Sequence, residues 1–158
     1  MLVAENLVKK YGSLTVVNGV SLSIGKGEIV SVVGQSGAGK STLLHLLGAL
    51  DKPDSGSVLI DGTDIFKLPA KKQAAFRNKH IGFVFQFHHL LPEFSAVENV
   101  SIPLWIAGQG RKQAMDNAAA MLDIVGLGNK LDNKPSELSG GEQQRVAIAR
   151  ALVNKPSI

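Results

Sequence analysis

Gly34-Gln35-Ser36-Gly37-Ala38-Gly39-Lys40-Ser41-Thr42 lies between two apolar runs, Ile29-Val30-Ser31-Val32-Val33 before it and Leu43-Leu44-His45-Leu46-Leu47 after it. The order reads as strand, glycine-rich loop, helix, and the spacing G-x-x-x-x-G-K-[ST] is that of a phosphate-binding P-loop. A phosphate needs several N–H donors converging on it, so the backbone must curl closely around it. Gly34, Gly37 and Gly39 permit that curl, having no Cβ to obstruct it or to forbid positive φ. A helix beginning near Lys40 points its free N–H groups and positive dipole end at the same place. Lys40 adds a full positive charge for the β- and γ-phosphates, and the Ser41 hydroxyl can ligate Mg²⁺. An ordinary glycine-rich turn would not need this flanking context on both sides.

The chain has 158 residues, which fits one domain able to bury roughly 68–70% of its unfolded surface. With 44% hydrophobic and 19% charged residues, its composition is that of a soluble globular protein. There is no run of 18 uncharged apolar residues of the kind that spans a bilayer, and Met1-Leu2-Val3-Ala4-Glu5 lacks the charged and apolar regions of a signal peptide. Cysteine is absent, which excludes disulfides and thiolate metal sites and is compatible with a cytosolic location. The net charge is +4, but the lysines are scattered apart from pairs such as Lys9-Lys10 and Lys71-Lys72. A nucleic-acid partner would want clustered Lys and Arg with aromatics between them, so none is expected. A polyanionic small ligand or an anionic membrane surface accounts for the excess equally well.

Leu2–Val8 and Val16–Ile24 read as strands, separated by a turn at Tyr11-Gly12. Gly25-Lys26-Gly27-Glu28 turns the chain into Ile29–Val33. Four of those five residues are β-branched valine or isoleucine, which predicts a strand buried on both faces. The P-loop helix is expected to run to about Leu50, where Asp51-Lys52-Pro53-Asp54-Ser55-Gly56 breaks it. Ser57–Ile60 is a short strand, and a helix with Pro69 in its first turn reaches about Lys79. Ile81-Gly82-Phe83-Val84-Phe85 is predicted as the next core strand, delivering Gln86 at its end. Phe87–Phe94 is an aromatic, proline-containing loop. Ala96–Ala107 is helical but weakened by Pro103. A helix over Arg111–Val125 carries Met115, Ala118, Ala119, Leu122 and Val125 at helical spacing, and a polar loop covers Asn129–Glu137. The last helix spans Gly140 to about Asn154. Pro156 stops it, and Ser157-Ile158 begins a further element.

Leu138-Ser139-Gly140-Gly141-Glu142-Gln143 is a second candidate anion site. Ser139 and Glu142 have capping-box spacing. Yet Gly140 and Gly141 then occupy the first helical turn, where each costs about 1 kcal/mol relative to alanine. A purely structural cap gains nothing from that sacrifice, whereas two glycines beside exposed N–H groups admit the close approach of an anion.

Here the sequence resembles the ATPase domains of ABC transporters. Gly34–Thr42 is similar to their Walker A motif, Gln86 to the Q-loop glutamine, and Leu138–Gln143 to the signature motif. Tyr11 lies where the family has an aromatic that stacks on adenine. A P-loop alone leaves many NTPase families open, but the pair of motifs with Gln86 between them is specific. More narrowly, the segments beginning Leu43-Leu44-His45, Gln86-Phe87-His88-His89 and Ala147-Ile148-Ala149-Arg150 resemble the ATPase subunits of bacterial lipoprotein-releasing transporters. Macrolide-exporter-type and cell-division-type ATPases are the nearest relatives of these.

The resemblance implies an α/β fold with a P-loop NTPase core and a helical signature subdomain. The core and N-terminal β region would be 1–86, the helical subdomain 87–138, and the signature helix with the start of a further strand 139–158. It implies ATP and Mg²⁺ as cofactors. Tyr11, Gly34, Gln35, Ser36, Gly37, Ala38, Gly39, Lys40, Ser41 and Thr42 would bind ATP, Ser41 and Gln86 would hold Mg²⁺, and Lys40 and Gln86 would be catalytic. Leu138, Ser139, Gly140, Gly141, Glu142 and Gln143 would meet ATP held by a second ATPase subunit in a head-to-tail dimer. Integral membrane subunits would dock near Gln86–Phe94, at the cytoplasmic face of the bacterial inner membrane. The family's Walker B strand, ending in Asp and Glu, directly follows the matched segment and is not among these 158 residues. The chain therefore reads as the first two-thirds of an ATPase domain, truncated before that strand, with an exposed sheet edge and without hydrolysis of its own. DNA-repair ATPases share both motifs, but no sustained heptads separate Lys40 from Ser139 here.

Among the remaining residues, His88 and His89 lack a Cys or carboxylate neighbour to complete a metal set, and their loop reads better as a docking surface or as core closure. His45 and Trp105 read as packed residues, and Arg145 and Arg150 as members of structural ion pairs.

Overall fold

Leu2, Ala4 and Leu7 are the buried apolar residues of the first strand, β1 (Leu2–Tyr11), and their uneven spacing has a cause. Asn6 takes φ +47°, and the pairing register slips between Ala4 and Leu7. This bulge inserts one residue and shifts the alternation by one, so that Leu7 still points inward. β1 pairs antiparallel with β2 (Leu14–Ile24) on one side and with β3 (Ser55–Ile60) on the other. β4 (Thr63–Asp64) extends the sheet to the order β2-β1-β3-β4. Gly56 faces the bulge at φ +96°, and a Cβ there would lie 2.5 Å from the Glu5 carbonyl oxygen. Only glycine fits.

The computed structural model describes all residues, 1–158, in two compact units, Met1–Phe76 and Arg77–Ile158. In the first unit, α1 (Lys40–Leu47) buries Leu43, Leu46 and Leu47. It stops three residues short of the predicted Leu50. The Leu50 N–H reaches back to the His45 carbonyl and the Ala49 N–H to that of Leu46, with Ala49 at φ +52°. These paired bonds form a Schellman stop, here with alanine in the left-handed position that glycine usually fills. A second helix, α2 (Ala70–His80), begins just past Pro69, whose carbonyl accepts the first helical bond from Gln73.

The second unit is built on α3 (Ala96–Ile106), α4 (Arg111–Ile124) and α5 (Gly140–Leu152). Val97, Val100 and Leu104 of α3 pack with Ala114, Ala118 and Leu122 of α4 and with Val146 and Ala149 of α5. The small residues on α4 and α5 let the helices approach closely. A capping box of Ser95 and Glu98 starts α3. Asn99 is completely buried in that helix. Its Oδ1 accepts from the Leu91 N–H at 2.8 Å, and its Nδ2 donates to the carbonyls of Leu91, Phe94 and Ser95 at 3.0–3.1 Å. One side chain thus closes the backbone hydrogen bonds of the loop before α3. Pro103 sits inside α3, and its carbonyl accepts from the side-chain amides of Asn78 and Asn154.

Two expected strands are absent. Ile29–Val33 belongs to no sheet, with Ile29 98% and Val33 84% exposed. Its composition suits a strand buried on both faces, but such a strand needs a neighbour on each side, and none of the described residues pairs with it. Ile81–Phe85 likewise forms no strand. It does, however, begin a pairing. The Ile158 N–H donates to the His80 carbonyl at 3.1 Å, and the Gly82 N–H donates to the Ile158 carbonyl at 2.7 Å. That alternation is the pattern of one parallel bridge between Ile81 and Ile158. The helix ends also move slightly inward, α4 closing at Ile124 and α5 at Leu152. A 3₁₀ turn, Pro135–Glu137, interrupts the predicted polar loop.

Gly56→Ala is expected to lower unfolding stability by about 1–3 kcal/mol, combining the positive-φ strain with the clash at Glu5. Asn99→Leu is expected to cost about 2–4 kcal/mol, because it strands the loop's N–H and C=O groups without partners. Urea midpoints at constant m-value measure both, with an exposed change such as Lys112→Ala as the near-neutral control.

Candidate functional site

The glycine loop of the first unit has the backbone that its sequence demands. Gly34, Gly37 and Gly39 take φ +154°, +80° and +83°. At Gly39 the requirement is also spatial, since a Cβ would lie 2.6 Å from the Val16 carbonyl oxygen. Gly39 is the N-cap residue of α1, and no side chain caps that helix end. The first-turn N–H groups of α1 are therefore left for a ligand, while in α3 and α5 one such group, that of Glu98 and of Glu142, is taken by Ser95 and Ser139. The Lys40 ammonium folds back over the loop, donating to the carbonyls of Gly34 at 2.8 Å and Gln35 at 2.6 Å. Positive charge, free N–H donors and left-handed glycines thus meet in one loop, which is the chemistry of a polyanion site. Ser36, Ser41 and Ala38 are exposed around it, and Thr42 is half-buried on the first turn.

Tyr11, at the end of β1, is 51% exposed. Its hydroxyl donates to Asp51 Oδ2 at 2.7 Å. Asp51 Oδ1 accepts from the Lys9 ammonium at 2.8 Å, and that ammonium also sits 5.3 Å from the centre of the Tyr11 ring. The shared hydrogen bonds set the charges. Lys9, followed by Tyr11, holds the Asp51 carboxyl below its ordinary pKa, and Asp51 in turn holds the Tyr11 phenol above its own. The nearby Thr42 hydroxyl opposes that rise as the smallest of the influences on the same phenol. Sequence reasoning reached Tyr11 but read Asp51 only as part of a helix-breaking segment. Nothing in the local pattern around Asp51 signals a pairing 40 residues away.

The second unit carries the other predicted residues. Gln86 is exposed in a turn with Phe87, which is 76% exposed. His88 and His89 follow at φ +57° and +47°, an unusual conformation for two adjacent non-glycine residues. The Arg150 guanidinium holds this stretch, donating to the His89 carbonyl at 2.7 Å and the His88 carbonyl at 2.6 Å. The expected ion pair for Arg150 is thereby corrected. Its partners are neutral carbonyls, and burial pushes its pKa below the ordinary value. Arg145 is exposed and acts on Glu142 only through its charge. No group of three or more His, Cys, Asp or Glu residues is arranged to hold a metal.

At the start of α5 the capping box is complete. The Ser139 hydroxyl accepts from the Glu142 N–H at 3.3 Å and donates to Glu142 Oε2 at 2.9 Å. That same oxygen accepts from the Ser139 N–H at 2.7 Å. These bonds to Ser139 hold the Glu142 carboxyl below its ordinary pKa, so the cap is present at neutral pH and is lost as pH falls through that lowered value. Leu138 is buried, and the Gln143 amide donates to the carbonyls of Pro135 and Leu138. Gly140 and Gly141 lie on the exposed side, and a Cβ added to either would meet no atom within 4 Å. Nothing inside the chain requires glycine at these two positions.

A model of the ABC transporter family matches residues 17–158. Over 158 residues the chain is 56% identical to the lipoprotein-releasing system ATP-binding protein LolD of Bacteroides fragilis, covering all of this chain and 73% of that protein. It is 58% identical over 155 residues to the LolD of Porphyromonas gingivalis, covering 98% of this chain and 71% of that one. Among solved structures, the ATP-binding cassette MJ0796, dimeric in a post-hydrolysis state with ADP and Pi, matches with a TM-score of 0.89 at 40% identity. That match covers 99% of this chain and 71% of the cassette. The mixed α/β fold is that of an ABC cassette, and the family match spans both the glycine loop and the capped helix. On these grounds the chain belongs to the ABC transporter family.

Proposed function

We propose that the chain is the ATP-binding subunit of a transporter that drives the release of lipoproteins from the bacterial inner membrane. The observation that carries this reading is the loop around Lys40. It combines three left-handed glycines, an uncapped helix start and an ammonium held over the Gly34 and Gln35 carbonyls. The cargo class rests on the LolD relatives, more than half identical along essentially the whole chain. No helix here is long and apolar enough to cross a membrane, so membrane attachment would come through partner subunits. We assign their docking to the loop Gln86–Phe94, which offers Phe87 outward and is held by Arg150.

Within this reading, the N–H groups of Gly37–Thr42 wrap the β- and γ-phosphates and Lys40 neutralises their charge. Tyr11 stacks on adenine. Ser41 and Gln86 are the residues that would hold Mg²⁺, an ion that screens phosphate charge when bound. A second subunit faces the loop head to tail, and its Ser139–Gln143 approaches the same nucleotide. The open space beside Gly140 and Gly141 supports that assignment, because the close approach they allow is not used within the chain. The 158 residues by themselves bind ATP without sustained turnover, since the Asp–Glu pair that the family resemblance implies for water activation is not among them.

Lys40→Ala is expected to weaken ATP binding at least tenfold and to abolish ATP-driven lipoprotein release in the assembled transporter, as measured by release from proteoliposomes. Unchanged release would remove the reading. Gly141→Ala separates fold from function. It is expected to leave or raise stability, by up to about 1 kcal/mol from helix propensity, while cutting ATP-driven release more than tenfold. A loss of both stability and release would make Gly141 structural instead.

A further inference from the structure

We propose that Asp51 is a positioning residue that fixes Tyr11 as a platform for a flat base. This rests on the nucleotide-binding reading above and adds a residue to it. Tyr11 ends β1, where a half-exposed aromatic ring has many orientations open to it. Asp51 removes that freedom. Its two carboxylate oxygens are divided, Oδ2 taking the phenol at 2.7 Å and Oδ1 the Lys9 ammonium at 2.8 Å. Oδ1 also accepts the Lys52 N–H at 2.7 Å, so the carboxylate is itself held in orientation. Lys9 is anchored a second time, by the Lys52 carbonyl at 2.7 Å, and its side chain is only 12% exposed.

The phenol edge is therefore tied to a fixed carboxylate, while the ammonium lies 5.3 Å from the ring centre. A base has the remaining exposed ring surface to stack on. The ammonium draws on the ring's negative face, and a ring so polarised is the better partner for an electron-rich purine. Asp51 lies four residues past the end of α1, the helix that starts at the glycine loop, and its N–H bonds to the His45 carbonyl. Through Asp51 the base platform is thus tied to the segment that leaves the same short helix the phosphate loop enters. The arrangement fits a ligand with an aromatic base at one end and a polyphosphate at the other.

The test compares ATP with inorganic tripolyphosphate, which has the phosphates and no base, by calorimetry on the whole chain. Tyr11→Ala is expected to weaken ATP roughly fivefold or more and leave tripolyphosphate unchanged. Asp51→Asn, and separately Tyr11→Phe, which keeps the ring, are each expected to weaken ATP about threefold, again without effect on tripolyphosphate. Combining those two substitutions is expected to weaken ATP by less than the product of the single effects, because both act on the phenol–carboxylate bond. If Tyr11→Ala weakens ATP but Asp51→Asn does not, the positioning role is overturned and the nucleotide reading stands. If Asp51→Asn weakens ATP and tripolyphosphate equally, Asp51 only supports the fold and the proposal falls. If Tyr11→Ala changes neither ligand, the platform itself is wrong, and a failure of the unsubstituted chain to bind ATP removes the reading on which both rest.

Discussion

The carbonyl oxygen of Val16 lies where any side chain at residue 39 would have to be. That contact brings β2 against the start of α1 and forces a left-handed turn at the helix entrance. Because Gly39 is the cap, no serine or threonine can occupy the position and consume the first-turn N–H groups. Because the turn is left-handed, the preceding residues curl over and the Lys40 ammonium reaches back across them. The openness of the helix start, the placement of the charge and the curl of the loop follow from one close approach between backbones. The same logic, with a different purpose, operates at Gly56, where the Asn6 bulge leaves no room for a Cβ and the reward is an inward-facing Leu7.

The two helix starts that carry motifs show opposite solutions to the same problem. An α-helix begins with donors that lack helical partners. At α1 no side chain takes any of them, and at α5 Ser139 and Glu142 reciprocally satisfy the N–H groups of Glu142 and Ser139. The two glycines of α5 lie between those two bonded groups, in the first turn. They keep the outer surface of the first turn flat, with nothing of the chain beside it.

Local chemistry was the legible part of this sequence. The glycine loop, the capping box at Ser139 and the amphipathic spacing of α4 each depend on residues close in the chain, and spacing alone reveals them. The Ile29–Val33 expectation failed for the complementary reason. Apolar β-branched residues record the environment that a segment suits, but a strand exists only when something pairs with it, and here Ile29 and Val33 stand exposed with no partner strand. The Arg150 fork and the Lys9–Asp51–Tyr11 group were invisible because each joins residues 40 or more positions apart. An arginine in a helix reads as a candidate ion pair, and no sequence pattern reports that its guanidinium instead finds two carbonyls.

The buried amide of Asn99 has a mechanical meaning. Its four hydrogen bonds rivet the Leu91–Ser95 segment to the first turn of α3, below the surface and away from competing water. To lift the segment off the helix, all four bonds would have to break in a place where no water stands ready to replace them, so one uncharged side chain acts as the fastener of the whole approach to α3.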